Sequence, residues 1–187
     1  PVVPRPGLTA EDSANPALWL AEGSWQAISA PVRGGGLSWA TTSQPETVTA
    51  LTLNTDISLA GLTAPELRFW HQLDLSSTDA AQVQLSLDGG QSWLPLMLFT
   101  AANNTLDWSE QVVSLAAYAG QTVRVRFLLI VGPNGPHGAG WTVDAITLQS
   151  GIEWPPTDPA AVLPSTPTPI PSPTLEGAGW TTYADTD

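Results

Sequence analysis

The chain has 187 residues, no cysteine and a formal charge of −12, with 17 carboxylates set against five basic residues, all of them arginines. The absence of cysteine excludes disulfides, thiolate metal sites and a cysteine nucleophile. The negative field repels nucleic acid and anionic membrane surfaces, and no apolar run approaches the ~20 residues that span a bilayer. These features argue against nucleic-acid binding and membrane insertion. Nine tryptophans, 18 prolines and no lysine favour an extracellular protein.

Short segments that alternate polar and apolar residues follow one another between residues 15 and 150. In AQVQLSL, Val83, Leu85 and Leu87 share one face, which indicates a half-buried strand. The predicted strands are, in chain order, 24–30, 37–42, 47–54, 66–75, 81–87, 92–99, 107–115, 121–127 and 140–148. No window of eleven or more residues carries an apolar helical stripe. Nine short strands separated by turn signals predict an all-β fold, either a two-sheet antiparallel sandwich or a barrel.

The composition divides the chain into four parts. Residues 1–14 form a proline-containing, extended N-terminal segment, and residues 15–150 form the β domain. Residues 151–174 are rich in proline, threonine and serine, which favours polyproline II and cannot build a core. As a linker this part reaches ~75 Å at about 3.1 Å per residue. Residues 175–187 regain apolar and aromatic character and are predicted to form a terminal strand-like segment.

The stretch SLDGGQSW, residues 86–93, resembles the Asp-box hairpin of sialidase propellers. Asp88 is placed to accept hydrogen bonds from local amides, Gly89 and Gly90 supply positive φ angles, and Trp93 packs over the turn. A sialidase needs several such hairpins, an arginine cluster and a tyrosine nucleophile. The chain has one such stretch and two tyrosines. We therefore interpret it as a structural hairpin between two strands.

No catalytic signature is present elsewhere in the sequence. His71 lies in a strand pattern and His137 in the loop GPNGPHGAG, and neither belongs to a zinc-binding pair or has an evident nucleophile. A phosphate-binding loop, a nucleophile elbow and a Schiff-base lysine are all missing. Counting does not exclude a glycosidase carboxylate pair, since any two of the 17 carboxylates can meet in space, but a glycosidase is the least favoured alternative. The sequence predicts a protein that is not an enzyme.

Four blocks carry a family resemblance, at residues 66–75, 79–93, 112–127 and 138–148, and the most specific stretches are 115–127 (LAAYAGQTVRVRF) and 140–146 (GWTVDAI). In this order they resemble the MAM-like jelly-roll modules that accompany secreted bacterial peptidases of the immune-inhibitor-A type and occur in other bacterial surface proteins. The resemblance covers residues 19–148. It implies a two-sheet antiparallel jelly-roll sandwich that is not itself catalytic and serves in adhesion, carbohydrate contact or assembly.

Calcium is the metal that the sequence favours. Asp144 shares the parity of Ile146 and Leu148, so simple alternation directs it toward the core, where a carboxylate needs a partner or a metal. The resemblance implies a structural Ca²⁺ held by carboxylates near the first strand, in a middle loop and on the last strand, which here are Glu22, Asp79 and Asp144. Oxygen ligands suit calcium better than zinc. In the alternative, Asp144 accepts backbone hydrogen bonds at a bulge, and Glu22 and Asp79 are solvated.

Tryptophan positions suggest where a sugar would bind. Five tryptophans fall where strands need bulk and are predicted to be core residues, namely Trp25, Trp39, Trp70, Trp93 and Trp141. Three others, Trp108, Trp154 and Trp180, lie near loops or in the tail. The glycine-containing loops 34–36 and 132–140 are expected at the rim of the sandwich, where ligands bind. Trp108 and His137 are therefore the candidate ligand residues.

The C-terminal stretch TLEGAGWTTYADTD, residues 174–187, echoes WLAEGSWQAISA at 19–30. It is either the start of a further module in a tandem array or a donor strand that adds to a sheet of a neighbouring copy. The residues of that donor segment are Gly177, Trp180, Thr182 and Tyr183. Head-to-tail addition does not close and builds a filament. The preferred hypothesis is thus a self-assembling extracellular structural subunit, and the alternative is a carbohydrate-binding or adhesive module of a larger secreted enzyme.

Overall fold

Two antiparallel sheets form the body of the computed structural model, which describes residues 4–34, 36–133 and 137–151. Sheet I contains, in spatial order, β1 (Trp19–Ala21), β4 (Val48–Leu53), β10 (Thr122–Ile130), β7 (Ala80–Ser86) and β8 (Leu94–Phe99), with β5 (Ile57–Ser58) paired to the start of β10. Sheet II contains β2 (Gln26–Ile28), β3 (Ser38–Thr41), β11 (Gly140–Ser150), β6 (Pro65–Asp74) and β9 (Thr105–Ser114). The predicted antiparallel sandwich is confirmed.

The order of the strands is that of a jelly roll. Strands β3, β11, β6 and β9 are neighbours in sheet II, and β4, β10, β7 and β8 are neighbours in sheet I. This is the double Greek key of an eight-stranded jelly roll, to which β2 and β1 add one edge strand each. All nine predicted strands are confirmed within a few residues. The sequence missed β1 and β5, because two or three residues are too few to show alternation.

The core lies between the sheets and is centred on aromatic side chains. On β6, the residues Leu67, Phe69, His71 and Leu73 point inward and are buried, while the residues between them are only partly buried. The Phe69 and Phe127 rings meet edge to face at 5.1 Å between centroids, as such pairs prefer. The core tryptophans are Trp19, Trp25, Trp39 and Trp141. Trp70 and Trp93 are absent from this cluster, so their assignment to the core was wrong.

His71 is a polar member of this core. The indole Nε1 of Trp141 donates a hydrogen bond to Nδ1 of His71 at 3.3 Å, and the side-chain amide nitrogen of Gln111 lies 3.1 Å from Nε2. Burial lowers the pKa of His71 to about 4, because the apolar surroundings disfavour the charged imidazolium. His71 is therefore a neutral packing residue, which agrees with the sequence interpretation.

The N-terminal segment packs on the sandwich and is not extended throughout. A four-residue helix, α1 (Ala10–Ser13), begins with a capping box between Thr9 and Asp12. Leu8 is buried and exchanges backbone hydrogen bonds with Leu148 of β11 at 2.9–3.0 Å. Single 3₁₀ turns occur at Pro16–Leu18, Ala101–Asn103 and Ala116–Tyr118. Within the described ranges, no helix has the length and hydropathy to cross a bilayer.

Candidate functional site

The outer face of sheet II carries a partly exposed tryptophan in its central strand. Because β6 alternates, Arg68, Trp70 and Gln72 point away from the core. In the ladder Trp70 lies opposite Glu110 of β9 on one side and opposite Asp144 of β11 on the other. We call the outer surface around these residues the Trp70 face.

Asp144 lies on this outer face and not in the core. A β-bulge interrupts the pairing of β11 with β6 after Asp144, and Ala145 adopts a φ of 48° there. One extra residue reverses the alternation, so Val143 and Ile146 both point inward while Asp144 points outward. The expectation from simple alternation was therefore wrong. Asp144 is nevertheless only 1% exposed, because the loop between β2 and β3 covers it.

The carboxylate of Asp144 anchors that loop. Its Oδ2 accepts hydrogen bonds from the backbone N–H groups of Arg33 (2.6 Å) and Gly34 (3.2 Å) and from Oγ of Ser38 (2.9 Å). Its Oδ1 accepts the N–H of Ala145 at 2.6 Å, so both carboxylate oxygens have protein donors. Anchoring a glycine-rich loop at this point fixes its backbone beside Trp70. The hydrogen-bonding alternative for Asp144 matches this geometry.

Anchored in this way, the loop places a cation on the tryptophan. The guanidinium carbon of Arg33 lies 4.1 Å from the ring centroid of Trp70. A cation–π stack at an exposed position contributes about 0.5–1 kcal/mol, little enough for an incoming ligand to replace it. Within the described residues Arg33 has no ion pair. It therefore keeps hydrogen-bond donors available at the edge of the indole.

A groove of about 370 Å³ runs beside the indole between β9 and β11. Arg68 lies in its floor and donates to Oε2 of Glu66 from Nε (3.0 Å) and Nη2 (2.8 Å), and its Nη1 lies 3.5 Å from Glu110. These two carboxylates neutralise the arginine. The groove is also lined by Thr147 and Gln149. It thus presents an aromatic ring together with closely spaced donors and acceptors.

Trp108, a residue predicted to contact ligand, lies on β9, the strand next to that of Trp70. Glu110 pairs with outward-pointing Trp70 and Ser109 with inward-pointing His71, but the register of β9 against β6 then shifts between Ser109 and Thr105, and Trp108 lies within this irregularity. Trp108 is half-buried. A second cavity of about 180 Å³ follows along the face, where Gln72 and Thr142 line it. The Trp70 face therefore carries the indole of Trp70 and two cavities that follow one another along β6, the first at Arg68 and Trp70 and the second at Gln72.

His137 has a different setting from the one predicted. Only 13% of its side chain is exposed, and its Nδ1 lies 3.6 Å from Oδ1 of Asp79. Asp79 is buried and accepts backbone N–H groups of Ser76 and Gly132, both at 3.1 Å. Burial acts to raise the pKa of Asp79, but these hydrogen bonds and the neighbouring His137 outweigh it and lower the pKa. His137 packs on this loop junction, which leaves little of its ring for a ligand.

Glu22, Asp79 and Asp144, the three carboxylates predicted to bind calcium, do not lie together in the structure. Within the described residues, no group of three or more His, Cys, Asp or Glu side chains is arranged to hold a metal ion. Glu22 is exposed and lines a cleft on sheet I, whereas Asp144 lies under the loop on sheet II. Calcium binding stays a prediction. A thermal melt compared in CaCl₂ and in EDTA tests it, and an unchanged midpoint would remove it.

The hairpin between β7 and β8 has the structure that the sequence predicts. Oδ1 of Asp88 accepts the N–H groups of Gln91 and Ser92, both at 2.9 Å, and Oδ2 accepts Oγ of Ser92 at 2.5 Å. The hydrogen bonds from Ser92 are the main reason why the pKa of Asp88 is far below its usual range. Gly89 and Gly90 have φ angles of 73° and 96°. SLDGGQSW is a structural turn.

Trp93 leaves this hairpin on the outer side of sheet I. The guanidinium carbon of Arg126 lies 4.2 Å from its ring centroid, so it resembles Trp70 in being half-buried beneath an arginine. The sequence signal that would have identified Trp70 was its parity, since Phe69 and His71 on either side are buried. For Trp93 there was no such signal, because it precedes β8 and lies in the turn.

The residues of the predicted donor segment, Gly177, Trp180, Thr182 and Tyr183, lie outside the described residues, as does nearly all of the predicted linker. The domain boundaries at residues 151, 174 and 175 therefore stay predictions.

Comparison with known proteins shows the fold. No protein-family model matches the chain, and no curated protein matches it. The chain is similar to the K2 cleaved adhesin domain of Lys-gingipain, with 16% identity and a TM-score of 0.51 over 76% of this chain and 98% of that domain. It is also similar to a structure of carbohydrate-binding modules from the β-sandwich superfamily, with 14% identity and a TM-score of 0.55 over 80% of this chain. This chain spans 64% of that structure. At these identities the likeness shows a shared β-sandwich.

Proposed function

We propose that the chain is a non-catalytic, extracellular module of the MAM-like jelly-roll type that binds neutral glycans on the Trp70 face. The observation that supports this most is the partly exposed indole of Trp70 beside a polar groove. An adhesin domain and carbohydrate-binding modules are among the solved structures with this fold, which agrees with the proposal.

The chemistry of the face suits an uncharged sugar. A pyranose ring has an apolar side that packs on an indole, and its hydroxyls need paired donors and acceptors at its edge. Arg68 with Glu66 and Glu110 offers both kinds of group, already oriented by their mutual ion pairs. The net charge of this trio is −1, and Arg33 and Asp144 on the same face add one charge of each sign, so the face as a whole gives an anionic ligand no advantage. The two cavities follow one another along β6, which favours a short oligosaccharide that lies along the strands.

The same groove argues for binding without hydrolysis. Glycosidases use two carboxyl groups on opposite sides of the scissile bond, one of them as an acid. Glu110 lines the groove and Glu66 lies behind Arg68, and both carboxylates contact the one guanidinium and orient it. Two carboxylates on the same guanidinium are suited to binding a sugar and not to cleaving it.

Titration calorimetry of the chain against neutral oligosaccharides chosen from a glycan array tests the proposal. Trp70→Ala is expected to reduce the affinity for the selected glycan by more than about tenfold, and Trp70→Phe to recover part of it. Leu98→Ala is the control, because Leu98 is an exposed apolar residue on β8 of the other sheet. Equal affinities for Trp70→Ala and Leu98→Ala, with both variants folded, would refute binding at this face.

Assembly into filaments is the second candidate function. Among the described strands, β9 pairs only with β6, so its other edge is open along ten residues. On this strand Leu106 is 86% exposed, and an open, apolar edge is where an added strand pairs. Electron microscopy of the chain, intact and truncated after Gly151, tests this candidate. Filaments that disappear on truncation would support it, whereas a monodisperse monomer in both cases would refute it.

A further inference from the structure

Two of the five arginines lie side by side on the outer face of sheet I. Arg124 and Arg126 are two residues apart on β10, so both side chains point outward. Each donates one hydrogen bond from Nε within the protein. Arg124 donates to Oδ1 of Asp56 at 2.8 Å, and Arg126 donates to Oε1 of Gln84 at 2.5 Å. Within the described residues, no hydrogen bond engages the terminal nitrogens of either guanidinium. These terminal nitrogens are therefore available to a ligand.

These arginines line a cleft of about 260 Å³ beside the β7–β8 hairpin. Trp93 forms one wall beneath the Arg126 guanidinium, and Nη1 of Arg124 lies 3.5 Å from the position of a Cβ atom on Gly90. The missing side chain of Gly90 thus leaves room for a ligand between the turn and the arginines. Pockets for drug-sized ligands measure about 300–1,000 Å³, so this cleft holds about one sugar ring.

Arg126 differs from both arginines of the Trp70 face, since Arg68 is paired with carboxylates and Arg33, which has no ion pair within the described residues, is exposed. Arg68 has two carboxylates within 4 Å, whereas Arg126 has none within the described residues and is half-buried. Burial lowers the pKa of the Arg126 guanidinium, and the charge of Glu22 opposes that shift from a greater distance. A half-buried cation without a contacting anion is a site where a carboxylate gains a charge-assisted, two-pronged hydrogen bond.

We propose that this cleft binds one acidic sugar unit, a uronic or sialic acid, whose carboxylate is held by the terminal nitrogens of Arg126 and Arg124. The Trp93 wall contacts the ring, and Glu22, which is exposed at the same cleft, accepts its hydroxyls. The proposal rests on the proposed function in taking the ligand to be a saccharide, but it uses the opposite sheet and a different chemistry. The two sites fail or succeed separately.

Calorimetry of the whole chain with matched ligands tests the acidic-sugar site. Trigalacturonate is compared with its methyl ester, which lacks the free carboxylates. Sialyllactose is compared with lactose, which lacks the sialic acid unit. At least one acid is expected to bind, more than about tenfold tighter than its neutral counterpart, and which acid binds identifies the source. Equal binding within both pairs, or no binding of either acid, would overturn the proposal.

Single substitutions test whether the carboxylate of the acidic sugar binds in this cleft. Arg126→Gln is expected to remove the preference for the acid, while Arg126→Lys keeps part of it, since lysine retains the charge without the fork. Arg5→Gln removes the same charge outside the cleft and is the control. Glu22→Gln is expected to tighten acid binding about two- to fivefold by removing a repulsive, solvent-screened charge.

Two results would overturn the assignment of the carboxylate to this cleft. One is an equal acid affinity in Arg126→Gln and Arg5→Gln. The other is loss of acid binding in Trp70→Ala while Arg126→Gln still binds. Should Arg126→Gln fail to fold, the Trp93 indole resonance of the unaltered chain decides, because it must shift with the acid and not with the neutral counterpart.

Discussion

Acid is expected to destabilise the sandwich through His71. This imidazole is 1% exposed and lies among Phe69, Phe99 and Trp141, with ring centroids 5.0–6.4 Å away. Its pKa is about 4 in the folded chain, against the ordinary histidine value of 6.5 that holds when the chain is unfolded. Between these two pH values the unfolded chain binds more protons at this position, so the free energy of unfolding falls as the pH falls.

The magnitude follows from the difference between the two pKa values. A difference of about 2.5 units at 1.36 kcal/mol per unit corresponds to about 3 kcal/mol, all of it retained above pH 6.5 and almost all of it lost by pH 4. Domains of this size are stable by about 5–15 kcal/mol, so the loss is a substantial fraction.

Urea unfolding at pH 7.5, 6, 5 and 4, for the native chain and for His71→Gln, measures this effect. Glutamine stays neutral and offers an acceptor to Trp141, so the difference in unfolding free energy between the two proteins isolates the histidine from the 17 carboxylates. That difference is expected to change by about 3 kcal/mol between pH 7.5 and 4. If it stays constant within about 0.5 kcal/mol, or if NMR titration gives His71 a pKa near 6.5, the reasoning is refuted.

Further predictions concern the loop over Trp70 and one glycine. Asp144→Asn puts an N–H group against other donors and is expected to cost about 1–3 kcal/mol, with faster hydrogen exchange at the amide of Arg33 and weaker glycan binding; unchanged exchange would contradict the anchoring role. Gly140→Ala brings a Cβ atom into steric overlap with the carbonyl oxygen of Thr41 at a φ of 111°. Gly61→Ala, with φ 81° and no atom within 4 Å, is the matched control for backbone strain alone. The control is expected to cost about 1–2 kcal/mol and Gly140→Ala clearly more in thermal or urea melts; equal costs would show that the contact with Thr41 relaxes.

Alternation of side chains was sufficient to predict the strands. In β6, β7 and β10 the apolar residues recur at every second position, and burial in the structure follows that pattern over most of each strand. The jelly-roll order was available only through the family resemblance, because strand pairing joins residues far apart in the chain. For example, Thr41 pairs with Trp141, and no local pattern contains that information.

The candidate site was only partly predictable. The role of Trp108 as a ligand residue stays a prediction, whereas the parity of Trp70 was readable between two inward-pointing neighbours. Large aromatic residues usually fill cores, and that general tendency outweighed the parity of Trp70. The setting of His137 was not predictable, because it depends on a buried carboxylate, Asp79, that lies 58 positions earlier in the chain.

The sequence by itself determined the fold class, the position of nine strands and the conformation of the Asp88 hairpin, because each depends on neighbours within about ten residues. Only the tertiary structure decided which face Asp144 occupies, since a single-residue bulge reverses the alternation of β11. It also decided that Arg33 and Arg126 stack on Trp70 and Trp93. The members of each stack are separated by more than 30 residues in the chain, and they meet because sheet pairing and loop anchoring bring them together.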